Sequence, residues 1–155
     1  MGIDRVREHL RKWSRDSDIL EFETSSATVA LAAHALNVEP ARIAKTISLE
    51  YGDSAMLLVT AGDVKIDNPK FKAEFRFKPT MLLPERVIEL TGHAIGGVCP
   101  FGLKEGTHVF LDVSLKRFET VFPACGSSNS AIRLTCDELE EYSSNERWVD
   151  VCKAR

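Results

Sequence analysis

The sequence predicts one mixed α/β domain, with helices and a curled mixed sheet in an α+β arrangement rather than a doubly wound nucleotide fold. Three observations carry this. The chain has 155 residues, 44% hydrophobic and 28% charged, the size and composition of one ordinary globular domain. Segments of helical period alternate with segments of period two along the chain. The strand segments are many and short, and several helices are interleaved among them.

Residues 4–14 place Val6, Leu10 and Trp13 at helical spacing, with Arg and Glu between them. A second helix is predicted to start at Ser25 or Ser26, both good N-caps, and to run through an alanine-rich stretch to Leu36, ending at Asn37. Residues 43–49 change period: Ile43, Lys45, Ile47 and Leu49 alternate with Ala44, Thr46 and Ser48, a strand pattern. A turn at 51–54 and an apolar run at 55–61 complete a hairpin. Asn68-Pro69 opens a helix, with Asn as cap and Pro at the first helical position. Residues 80–83 read as a short strand, and 84–90 as a short helix closed by Gly92. Further short strands are predicted at 93–98, 108–111, 120–124, 131–134 and 148–151. Thr135 and Glu138 have capping-box spacing and start a final acidic helix through Tyr142.

Charge and motif content exclude several function classes. Twenty Lys and Arg against 23 Asp and Glu leave a net charge of −3, so the whole molecule has no strong attraction for polyanions. No apolar run is long enough to cross a bilayer, and the charged start lacks an apolar signal core. The chain is expected in the cytoplasm, with no membrane partner and its four cysteines as reduced thiols. Neither CxxC nor HExxH occurs and the histidines are scattered, so no metal and no cofactor is expected.

Lys45 is the most informative residue. Alternation puts it on the face of Ile43, Ile47 and Leu49. An ammonium among apolar neighbours needs an anionic partner, a lowered pKa, or a cavity that admits water or ligand. The alternative is an edge lysine that snorkels to solvent, or a register shift by a bulge. Residues 92–102 are dense in Gly and Pro. Gly96 and Gly97 let backbone approach a ligand with free amides, and Pro100 stiffens the turn that follows. The glycine spacing matches neither the P-loop nor the dinucleotide fingerprint. A third segment, residues 124–130, clusters small hydroxyl and amide groups between two strands, as ligand donors or as an ordinary surface turn. Cys99 near His93 or His108 is a weaker candidate for a nucleophilic pair. Residues 65–78 carry five bases and two acids interleaved with Phe71, Phe75 and Phe77, which is either a platform for nucleic acid or an amphipathic helix with a solvated face.

Taken in order, Ile43-Ala44-Lys45-Thr46, the run from Gly92 to Gly102 and Gly126-Ser127-Ser128-Asn129 resemble the YbaK/proline-tRNA-synthetase-associated editing family. The helix beginning at Ser25 and the stretch Ala61-Gly62-Asp63 fit as well, so the resemblance spans about residues 20 to 150. It implies a barrel-like curled sheet, and a free-standing deacylase acting in trans on mischarged tRNA, most often tRNA-Pro carrying a small wrong amino acid. Prolyl-tRNA synthetase is a further possible partner, and a non-hydrolytic binder of aminoacyl-tRNA or another adenosine-containing ligand is the alternative. Carried over residue by residue, Lys45 is the essential lysine. Gly96, Gly97 and Val98, followed by Pro100, form the wall at the ester. Gly126 and Ser127 close the opposite side, and Asn129 binds substrate. Ser26, Thr28 and Thr46 touch the substrate. The amino acid removed stays open among alanine, cysteine, serine, threonine and non-protein analogues.

Overall fold

The computed structural model describes residues 2–155. Its first half comprises α1 (Gly2–Leu10), β1 (Leu20–Glu21), α2 (Val29–Leu36), β2 (Ile43–Tyr51), β3 (Ser54–Ala61), β4 (Val64–Ile66), α3 (Asn68–Phe75) and α4 (Pro84–Thr91). The second half adds β5 (His108–Asp112), β6 (Thr120–Pro123), β7 (Ser130–Ala131), β8 (Leu134–Thr135), α5 (Cys136–Ser143), β9 (Arg147–Val149) and β10 (Cys152–Ala154). Six strands form one curled mixed sheet in the order β8-β6-β2-β3-β5-β9, and the pairs β1–β7 and β4–β10 are small antiparallel additions. This is the predicted fold class. No described helix is long and apolar enough to cross a membrane.

The β2–β3 hairpin is the spine. Its ladder runs without interruption from Ala44↔Ala61 to Tyr51↔Ser54, turning at Gly52 with φ +63°. Residues Ala55, Met56, Leu57, Leu58 and Val59 are all fully buried. A strand covered on both faces needs no polar alternation, which accounts for the apolar run at 55–61.

One edge of β2 has a gap. β6 runs parallel to β2 only at Ile43↔Phe122 and Ala44↔Pro123, and then diverges. Further along the same edge, Leu82 N donates to Ser48 O at 3.1 Å and Glu50 N to Thr80 O at 2.8 Å. Between these two neighbours, residues 45–47 have no strand beside them on that side. Splayed strands of this kind leave a crevice at a fixed place in the sheet.

Some predicted elements differ. Ser25 and Ser26 do not cap α2. Ser26 N donates instead to Ser128 O at 2.6 Å, and the cap is Thr28, whose side chain accepts from Leu31 N. Asp67, not Asn68, caps α3. Residues 93–98 form a turn, closed by Gly97 N donating to Ala94 O, because this glycine-rich stretch has no partner strand. Residues 80–83 make a single bridge, Leu49↔Met81, and 131–134 are split between β7 and β8. At Thr135 the capping box forms as predicted, with Thr135 and Glu138 bonding each other's backbone amides.

Candidate active site

A cavity of about 270 Å³ occupies the gap beside β2. Three sequence-distant segments converge on it: residues 26–29 leading into α2, residues 95–98, and the ends of β6 and β7, with α4 as a further wall. Ser26, Thr28, Lys45, Thr46, Gly96 and Val98 all line it. Gly97, Pro100, Gly126, Ser127 and Asn129 do not stand among the lining residues.

Four of these, Gly97, Gly126, Ser127 and Asn129, nonetheless hold the wall together. Phe22 N donates to Asn129 O, Asn129 Nδ2 donates to Phe22 O, and both distances are 2.8 Å. This fastens the 126–130 turn to the segment before α2. Ser127 Oγ lies 3.0 Å from Asn129 Oδ1 and 2.6 Å from Ser130 Oγ, so its hydroxyl is spent within the turn. Gly97 packs against Gly126 and Ser127 so closely that a Cβ there would lie 2.6 Å from Ser127 N. Gly126, at φ +90°, leaves no room for a Cβ against Gly2 O of α1. Pro100 is buried.

The amides of residues 96–98 divide by role. Gly97 N is committed to Ala94 O, whereas Gly96 N and Val98 N make no hydrogen bond to any described residue. With Ile95, Gly96 and Val98 are also the residues of this segment that line the cavity, and unengaged peptide donors in such a lining suit an oxygen that gains negative charge.

Lys45 lies opposite Thr60 in the hairpin, and its ammonium donates to Val64 O at 2.5 Å. Its pKa is lowered by burial first and then by the positive charge of Arg155, with Cys152 and Asp63 opposing. Val64, Asp63 and Arg155 are not lining residues. The residue therefore borders the cavity while its nitrogen rests against β4.

The cysteines are poorly placed as nucleophiles. Cys99 Sγ is 3.7 Å from His93 Nε2, but that nitrogen is 2.7 Å from Phe101 O. A carbonyl can only accept, so Nε2 carries the proton and cannot take one from the thiol. Burial also pushes the Cys99 thiol up to about 12, leaving almost no thiolate at neutral pH. Nor do residues 65–78 offer a stacking platform: Phe71 is fully buried, with the Phe75 and Phe77 ring centroids 4.7 and 5.5 Å from its own. Among the described residues no group of three His, Cys, Asp or Glu could hold a metal ion.

His93 is fully buried, and its Nδ1 has no partner among the described residues. Burial lowers its pKa from 6.5, only partly offset by the bond to Phe101 O. Above that value the ring is neutral in both folded and unfolded chains. As pH falls below 6.5 the unfolded ring takes up a proton that the folded one resists, so stability declines until the folded pKa is passed. Melting temperature is expected to fall more steeply between about pH 7.5 and about pH 5.5 in the wild type than in His93→Gln. Parallel slopes would show that another group governs acid sensitivity.

Comparisons with known proteins bear on the family and the fold. The profile of the aminoacyl-tRNA editing domain matches residues 23–142. An uncharacterized protein of Bacillus subtilis (strain 168), YwhH, is 57% identical over 154 residues, covering 99% of this chain and 98% of that one. A crystal structure described as a candidate trans-editing enzyme for prolyl-tRNA synthetase superposes with a TM-score of 0.87 at 27% identity, covering 99% of this chain and 98% of that one. A hypothetical protein, APE2540, shares the fold at a TM-score of 0.79 and 24% identity, covering 94% of this chain and 99% of its own. With more than half its length matched by the domain profile, the chain belongs to the aminoacyl-tRNA editing domain family.

Proposed function

We propose that the protein is a trans-acting deacylase that hydrolyses the ester of mischarged tRNA, with tRNA-Pro bearing a small wrong amino acid as its substrate. The observation that carries this reading is the cavity of about 270 Å³ lined by Lys45, Gly96 and Val98, the last two with unengaged amides. That volume suits an acylated ribose, with the rest of the tRNA end outside. The likeness to a candidate trans-editing enzyme for prolyl-tRNA synthetase supports tRNA-Pro, and that synthetase as a possible partner.

An aminoacyl ester is already activated, so positioning and polarisation of its carbonyl suffice. Water adds to the carbonyl carbon, the carbonyl oxygen becomes an oxyanion facing the amides and Lys45, and the ribose oxygen leaves with a proton. The free neighbouring hydroxyl of the terminal ribose orients the water. No step needs a metal, and the reaction belongs in the cytoplasm, where charged tRNA is used. One observation favours the non-hydrolytic alternative: the Lys45 ammonium is bonded to Val64 O and must leave it to meet an ester.

The test is release of free amino acid from mischarged tRNA-Pro above the spontaneous rate. A binder of aminoacyl-tRNA instead shifts the tRNA in a binding assay and leaves the ester intact.

A further inference from the structure

Ser48 is a polar side chain in a cavity lining that also holds Leu82, Val87 and Val98. It is 7% exposed and lines the cavity. Its hydroxyl bonds no described residue, and it is not among the sealed, unpartnered atoms, so it opens onto the cavity. Around it the walls are Leu82, Val87 and Val98, which pack together with Ala55 on the same face of the hairpin. Thr46, two residues earlier on that face, also lines the cavity, and its hydroxyl too has no partner among the described residues. Buried hydroxyls in folded proteins nearly always have a partner, and leaving one unmade is costly. A ligand that fills the cavity displaces water from these two hydroxyls and must then either bond them or leave them unpaired.

We propose that Ser48, assisted by Thr46, reads the side chain of the acyl group, and that the site takes a small hydroxyl-bearing amino acid in preference to alanine. This rests on the deacylase reading and deepens it. A seryl side chain supplies a hydroxyl that both donates and accepts, matching Ser48 at short range. An alanyl methyl fills the same space and leaves Ser48 desolvated and unpaired. The ring of proline, the correct amino acid, presents only carbon and meets the same penalty. A site built to bond a substrate hydroxyl rejects analogues that lack it far better than a purely apolar pocket rejects a missing methylene.

The experiment measures kcat/KM for seryl and alanyl esters of the same tRNA-Pro with wild type and Ser48→Ala. The wild type is expected to favour the seryl ester by about tenfold or more, and Ser48→Ala to reduce that preference to near unity. Melting temperatures of both proteins show whether the variant is folded. A purely structural role lowers both esters together and leaves their ratio unmoved, which overturns the inference. So does a wild type that hydrolyses the alanyl ester better, and in both cases the deacylase reading stands. If no ester is hydrolysed above the spontaneous rate, the deacylase reading fails and this inference fails with it.

Discussion

Lys45→Ala is expected to lower the rate of ester hydrolysis by about 10²-fold or more while leaving the fold intact, because one charged donor at a developing oxyanion commonly contributes that much. The side chain is half-buried and bonded to Val64 O. Removing it leaves that carbonyl without its donor but also relieves the cost of a poorly solvated ammonium. The two effects oppose each other, so stability should change by no more than about 1 kcal/mol. Lys45→Arg keeps the charge but replaces a compact ammonium with a longer planar fork, and should not restore the rate. Burial and Arg155 hold the lysine pKa below 10.5, so the charged form is lost early as pH rises. After subtraction of spontaneous hydrolysis, enzyme activity should decline on the alkaline side before an ordinary lysine would titrate. Equal turnover by wild type and Lys45→Ala, both with unchanged melting temperatures, would remove Lys45 from the mechanism.

The parts of this site were legible in the sequence unevenly, for physical reasons. The hairpin of β2 and β3 showed itself because residues 43–49 alternate strictly and the following run is apolar enough to be buried on both faces. The cap of α5 was legible because Thr135 and Glu138 are local partners. Residues 93–98 read as a strand because they include the β-branched Ile95 and Val98, yet a strand exists only where another supplies hydrogen bonds. Those of this stretch close a turn on themselves. β1, β4 and β10 are two or three residues long, shorter than any period can reveal. Ser48 was missed although a signal was present. Ile43, Ile47 and Leu49 are bulky, whereas Ala44, Thr46 and Ser48 on the opposite face are small. A strand with one undersized face inside a folded domain implies something missing from the packing, and that face borders the cavity. No pattern in the sequence could reveal the gap itself, which depends on where β6 leaves β2 and where residues 80–82 arrive.

Gly97→Ala should damage activity more than its loss of stability explains. The new Cβ would lie 2.6 Å from Ser127 N, 2.7 Å from Gly126 C and 2.8 Å from Ser127 Cα. All three are backbone atoms, so no side chain can rotate aside. Relief must come from separating the 93–102 and 126–130 segments, at a cost of about 1–3 kcal/mol, the range for overpacking. That separation displaces the amides of Gly96 and Val98 relative to the rest of the cavity. Misplacement on the scale of an ångström can cost about 10²-fold in rate. Gly52→Ala supplies the comparison, since it lies in the β2–β3 turn at φ +63° with nothing within 4 Å of the added Cβ. Its penalty is backbone strain of about 1–2 kcal/mol, far from the crevice. Gly52→Ala should therefore lower the melting temperature yet hydrolyse ester at the wild-type rate below its transition. Gly97→Ala, measured equally far below its own transition, should be slower by at least about tenfold. If the two variants hydrolyse ester alike under those conditions, the wedge between the segments is absorbed elsewhere, and close packing of Gly97 on Ser127 does not set the geometry of the cavity.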